Sequence, residues 1–193
     1  MNFNFRNYIL LVQLKEETKL FHSSVEKVLI AELKEIATKD AYGELLLKLY
    51  NFYESIESKL HNEITEMIVP DIKSRKHVHH LKHDLYSIDY EIKGIHNNFA
   101  SKITNLSYAL GVLYVIEGST LGGKIIANLL KRQLNLDDCS EVSYFNSYGE
   151  ATDEMWNNFK QYIATSEEFI DKDEMVLGAK ETFEALRIWL LQN

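Results

Sequence analysis

Cysteine is nearly absent: Cys139 stands alone among 193 residues. That excludes an intrachain disulfide, a CxxC redox motif and a thiolate zinc cluster, and points to a reducing, cytoplasmic location. Proline is as scarce, with Pro70 the single example, and glycine supplies only 8 residues, too few turn-formers for an all-β chain. No membrane span is expected, and the apolar run from Tyr8 to Val12 is too short and too poorly flanked for a signal peptide. Basic charge is in deficit. With 21 Lys and Arg against 29 Asp and Glu, the net charge of -8 argues against a general nucleic-acid or anionic-membrane surface. No GxGxxG run marks a dinucleotide site, and no repeat or low-complexity segment appears. What remains is 46% hydrophobic and 26% charged, the balance of one globular domain spanning residues 1–193. At this size roughly 70% of the unfolded surface is buried on folding, enough for a core with a cofactor pocket.

Helical periodicity runs through most of the chain and predicts an all-α fold. Leu11, Leu14, Thr18, Phe21, Val25 and Leu29 recur at steps of three and four, giving a first helix from about Asn7 to Ile36, with Lys39 and Asp40 after its end. A second, about Ala41 to Met67, stops ahead of Val69-Pro70, where the proline ring disfavours α geometry in the residue before it. Ser74 is read as the cap of a third, about Arg75 to Tyr90, and after a looser stretch from Lys93 to Ala100 a fourth runs from about Leu106 to Gln133. Asp137 to Gly149 is one long irregular connection. Thr152 or Asp153 then opens a fifth helix, and Asp173 a sixth that ends in Phe183, Leu186, Ile188, Trp189 and Leu190.

On the first helix, at about 100° per residue, Lys15, Lys19 and Glu26 fall within about 20–60° of His22 on one side, and Leu11, Thr18, Val25 and Leu29 within about 60° on the other. His22 thus sits on a seam between charged and apolar stripes. A neutral imidazole there can offer one nitrogen to a metal, with Glu26 one turn on to orient it and the lysines suited to anionic groups. Taken alone, the pattern favours a boundary histidine on an amphipathic helix over a ligand.

The fourth helix, LGVLYVIEGSTLGGKIIANLL, places Gly111, Gly118, Gly122 and Gly123 among residues that favour a buried helix. Each interior glycine costs about 0.5–1 kcal/mol relative to alanine, so something should require their smallness. Gly111, Gly118 and Gly122 share a face with Val115, Ile125 and Leu129. Two requirements weigh equally on spacing alone: a backbone lying against a flat ligand, or close packing of another helix.

Two segments together resemble a known family. LKEETKLFHSSVEK, Leu14 to Lys27, resembles the proximal helix of the heme oxygenases, and YVIEGSTLGGKII, Tyr114 to Ile126, resembles their glycine-rich distal helix. KHDLYSIDY and ETFEALRIWL extend the likeness over most of the chain, which is most similar to the bacterial branch associated with bacteriophytochromes. The resemblance implies a multihelical fold with heme between the two helices, and it reverses the preference at His22. It makes His22 the proximal iron ligand, Glu26 its partner, and Lys15 and Lys19 groups that meet the heme propionates. Gly118 and Gly122, with Gly123 beside them, become the backbone that lies against heme. Lys160 is matched loosely to a further propionate contact. Ser119 stands where many members carry an Asp that organises proton-supplying waters; a hydroxyl holds a water without supplying charge, which leaves the proton route unassigned.

The implied activity is oxidative ring opening of heme, at once cofactor and substrate, to biliverdin, carbon monoxide and iron, using dioxygen. Electrons would come from a ferredoxin- or flavodoxin-type donor, and a bilin-accepting phytochrome is a further implied partner. The competing readings are a heme-binding protein for storage or transfer without turnover, kept open by Ser119, and a heme-free helical adaptor.

Other residues carry weaker signals. His79 and His83 in RKHVHHLKHDL have i, i+4 spacing, yet no partner motif completes a metal site, and the stretch with His77 and His80 reads as a solvated polar helix. A ferritin-like di-iron centre drops out because no histidine has Glu three residues before it. His61 and His96 read as surface residues and Cys139 as a bystander, while Phe183 and Trp189 read as core rather than cofactor wall.

Overall fold

The computed structural model describes residues 9–94, 97–136 and 140–192. Six α-helices carry the fold: α1 (Ile9–Glu35), α2 (Lys39–Glu63), α3 (His77–Ser87), α4 (Leu106–Leu134), α5 (Thr152–Thr165) and α6 (Lys172–Leu190), and no strand occurs among the described residues. The expected all-α class is therefore observed. Caps follow the side chains: Thr38 Oγ1 accepts from Ala41 N–H at the start of α2, Asn105 Oδ1 from Tyr108 N–H at the start of α4, and Asp171 Oδ1 from Asp173 and Glu174 N–H at the start of α6. The amino-terminal stretch before Ile9, His96 and Cys139 lie outside the described residues.

α4 is the central element, packed along α6, while α6 also covers α1 and α3 lies on α2. Leu14, Leu46, Ile56, Leu81, Leu110 and Phe159 sit in one fully buried core between these helices. By length and composition α4 is apolar enough to cross a membrane, but half of its most apolar window is buried inside this chain, as in a core helix. Its apolarity serves packing on two sides.

α2 ends at Glu63, short of the expected Met67, because Ile64 is already extended, and α3 ends at Ser87, short of Tyr90. The start of α3 differs for a further physical reason. α3 begins at His77, and neither Ser74 nor Arg75 belongs to it. Ser74 Oγ donates to the Asp71 carbonyl instead of capping, and the Arg75 side chain turns inward, fully buried, to meet carboxylates on Asp71 and Glu117.

The connection between α4 and α5 contains short 3-10 turns, including Ser140–Val142 and Tyr144–Asn146. Asp84 on α3 holds it: the buried carboxylate accepts from Ser143 N–H at 2.9 Å, Tyr144 N–H at 2.8 Å and the Ser143 hydroxyl. Burial raises the Asp84 pKa, and these donors oppose the rise. An Asp84→Asn variant turns an amide nitrogen toward one of those donors; urea denaturation is expected to show a loss of about 1–3 kcal/mol.

Candidate functional site

α1, α4, α5 and α6 enclose a cavity of about 630 Å³, a size usual for small-molecule and cofactor sites. α1 contributes Lys15, Thr18, Lys19, His22 and Glu26; α4 faces them with Gly118, Ser119, Gly122 and Gly123. The two stretches singled out in the sequence thus meet across one space. His22 and Glu26 are both exposed, one turn apart on α1. The ring of Phe183 on α6 stands edge-on to His22, with centroids 5.6 Å apart and planes at 88°, which limits how the imidazole can turn. Phe183, read from sequence as core, is also cavity wall. Trp189, read as core, is partly buried against the core: it packs near Phe52 and donates from Nε1 to the Lys48 carbonyl. Its neighbour in sequence, Ile188, is largely exposed.

The glycines of α4 separate into two groups. A Cβ on Gly111 would collide with the carbonyl oxygen of Met175 on α6, and one on Gly123 with that of Phe145, so both are required by close packing. Gly178 on α6 meets the Tyr108 carbonyl in the same way, making the α4–α6 approach reciprocal. Gly122, by contrast, has nothing within 4 Å of the point a Cβ would occupy, and Gly118 only the rim of Trp156 at 3.8 Å. Their smallness leaves open space beside the helix. Gly111 therefore leaves the face assigned to it, Ile125 is exposed, and Gly123 lines the cavity while serving the fold. Gly111→Ala is expected to destabilise by about 1–3 kcal/mol through overpacking, whereas Gly122→Ala gains about 0.5–1 kcal/mol of helix propensity; paired denaturant titrations check the opposite signs.

Lys160 on α5 lines the cavity, its Nζ 5.8 Å from the ring centroid of Trp156, which in turn packs near Tyr114. Ser119 is exposed, but its hydroxyl donates back to the Ile116 carbonyl at 2.6 Å. Burial pushes the Tyr144 pKa well up, with the neighbouring Tyr53 phenol adding to the shift and Ser119 opposing it.

Sequence reasoning missed the buried polar cluster behind α4. Arg75 donates to both carboxylate oxygens of Asp71, at 2.8 and 2.9 Å, and to Glu117 Oε2. Glu117 Oε1 lies 2.8 Å from His77 Nε2, and the Tyr148 hydroxyl lies 3.1 Å from Glu117 Oε1 and 3.2 Å from His77 Nε2. Burial lowers the Arg75 pKa, but its bonds to Asp71 and the charge of Glu117 outweigh this and raise it overall. His77, expected on a solvated helix, is 4% exposed and lines the cavity. His61 is likewise not a plain surface residue: its Nε2 lies 3.4 Å from the Arg75 carbonyl. His79 and His83 do remain exposed, and no group of three His, Cys, Asp or Glu among the described residues is placed to hold a metal. The available signal was a Glu inside an apolar helix, one residue before Gly118, which demands a buried partner.

A protein-family model described as heme oxygenase matches residues 9–192. No curated protein matches the sequence significantly. Among solved structures, heme oxygenase 2 from Chlamydomonas reinhardtii without heme is 15% identical, with a TM-score of 0.78 over 94% of this chain and 95% of that one. The heme oxygenase from Neisseria meningitidis, solved with NO and CO bound, is 18% identical, with a TM-score of 0.77 over 94% and 89%. Heme oxygenase-1 from the cyanobacterium Synechocystis, in complex with heme, is 21% identical, with a TM-score of 0.66 over 94% and 90%.

Proposed function

The chain belongs to the heme oxygenase family, and from that premise we propose that it is an enzyme that opens heme to biliverdin, carbon monoxide and iron, acting as a single domain. The observation that carries this reading is the pair of facing walls: an exposed histidine on α1 opposite two glycines of α4 that no other part of the protein crowds. The residues fit the group. Gly118 and Gly122 keep a flat space clear, and lysines on α1 and α5 stand at a cavity otherwise walled by Val115, Phe183, Leu186 and Trp156.

Bound heme would supply the iron that activates dioxygen and the macrocycle that is oxidised. In this reading His22 Nε2 or Nδ1 holds the iron, Phe183 limits the rotation of that ring, and Glu26 stands one turn away to orient it directly or through water. Lys15, Lys19 and Lys160 pair with the propionate carboxylates. The aliphatic and aromatic walls exclude bulk water, which strengthens each of these polar contacts. Charge reversal at Lys15→Glu with Lys19→Glu is expected to weaken hemin binding about tenfold at low ionic strength and less at high salt, measured by titration of the Soret band.

The likeness of LKEETKLFHSSVEK, YVIEGSTLGGKII, KHDLYSIDY and ETFEALRIWL supports assignment to the bacteriophytochrome-associated branch, and with that branch we propose a ferredoxin- or flavodoxin-type donor, a phytochrome as bilin acceptor and a cytoplasmic location. One observation favours the second reading, heme storage or transfer: the Ser119 proton is already engaged by the Ile116 carbonyl. The deciding experiment is a single turnover with hemin, ferredoxin and its reductase, oxygen and catalase. Extracted biliverdin establishes the oxygenase, whereas a stable heme spectrum under working reductant establishes storage.

A further inference from the structure

Among the described cavity-lining residues the histidines are His22, on α1, and His77, which reaches the opposite side by bonding to Glu117 on α4. An oxygenase needs protons on that opposite side, and the groups nearest Gly118 and Gly122 supply them poorly. Ser119 carries no charge and donates to its own helix. Burial raises the Tyr144 and Tyr53 phenols above their ordinary range, which makes both weaker acids. Histidine is the side chain whose ordinary titration lies near neutral pH.

Resting on the oxygenase reading, we propose that His77 is the proton-handling group of this cavity, and that Glu117, Arg75 and Tyr148 are its positioning residues. The carboxylate displaced from the position after Gly118 is thus replaced by one directly before it, acting through the imidazole. An ionised Glu117 is an acceptor only, so the 2.8 Å contact requires a proton on His77 Nε2. The ring then exchanges its second proton at Nδ1. In the step itself, the imidazolium releases one proton to a cavity water, returns to the neutral ring with Nε2–H still on Glu117, and is reprotonated from solvent; no electron moves.

The surroundings suit this exchange. The groups facing His77 are Glu117 from α4, Tyr148 from the segment before α5, Arg75 with Asp71 behind it, and His80 one turn along α3. The Arg75 guanidinium, Glu117 and Asp71 form one continuous chain of contacts that ends on His77 Nε2. Arg75 fixes Glu117, being itself fixed by both oxygens of Asp71.

His77→Gln and Glu117→Gln test this in the full-length chain by three measurements: hemin affinity from Soret titration, ring-nitrogen NMR of the hemin-free protein, and the solvent isotope effect on single turnover. Both variants are expected to bind hemin with little-changed affinity while turnover falls about a hundredfold and the isotope effect changes. Glu117→Gln should also shift the His77 Nε2 resonance before any hemin is added. The inference is overturned if folded variants turn over hemin at the unaltered rate and isotope effect. Should Glu117→Gln not fold, His77→Gln decides alone, since it keeps the Arg75–Glu117 pair. An unaltered chain that binds no hemin overturns the heme reading and this inference together; one that binds and turns over hemin beside unaffected variants overturns this inference only.

Discussion

Replacing Arg75 by alanine is expected to lower the unfolding free energy by about 3–5 kcal/mol. Arg75 and Glu117 are both essentially without solvent contact, and Arg75 additionally spans Asp71 and the Met155 carbonyl, so it joins the segment before α3 to α4 and α5. Without the guanidinium, Glu117 keeps His77 and Tyr148 as donors but loses the opposite full charge. A carboxylate left that way inside a protein must be desolvated without compensation or take up a proton. Urea denaturation of Arg75→Ala checks the magnitude. A second variant, Arg75→Ala with Glu117→Leu, should recover part of the loss, because removing both charges removes the desolvation cost together with the attraction. A single-variant loss under about 1 kcal/mol, the size of an exposed pair, would show that the cluster is hydrated and not a buried ion network.

His22→Ala is expected to remove the protein's ligand to bound hemin. The apolar walls and the lysines remain, so hemin still enters, but the Soret maximum and the spin-state bands should move to those of hemin without a protein ligand, and affinity should fall by about tenfold or more. Phe183 gives the second arm of the test. Its ring meets His22 edge-on, so Phe183→Ala should leave coordination in place while broadening the spectrum through a freer imidazole. Unchanged coordination in His22→Ala would remove His22 as the ligand, and His77, the other histidine at the cavity among the described residues, would be the next candidate.

The sequence made the six helices legible, because three-and-four spacing is a local signal, but not their ends: the side-chain caps are Thr38, Asn105 and Asp171 rather than Ser74 or Asp173, and α2 stops at Glu63, well short of Pro70. It also marked His22 and the α4 glycines, through charge on one face and glycine where alanine would be more stable. It could not divide those glycines. Gly111 and Gly122 are alike in their own helix, and only the backbone that approaches each one, Met175 at the first and nothing at the second, makes one structural and the other part of a cavity wall. Likewise His77 and Arg75 lie in a stretch as polar as any exposed helix, and their burial depends on Glu117, 40 and 42 residues away. Periodicity states which residues share a face; what covers that face is a property of distant chain brought alongside, and that the tertiary structure alone decided.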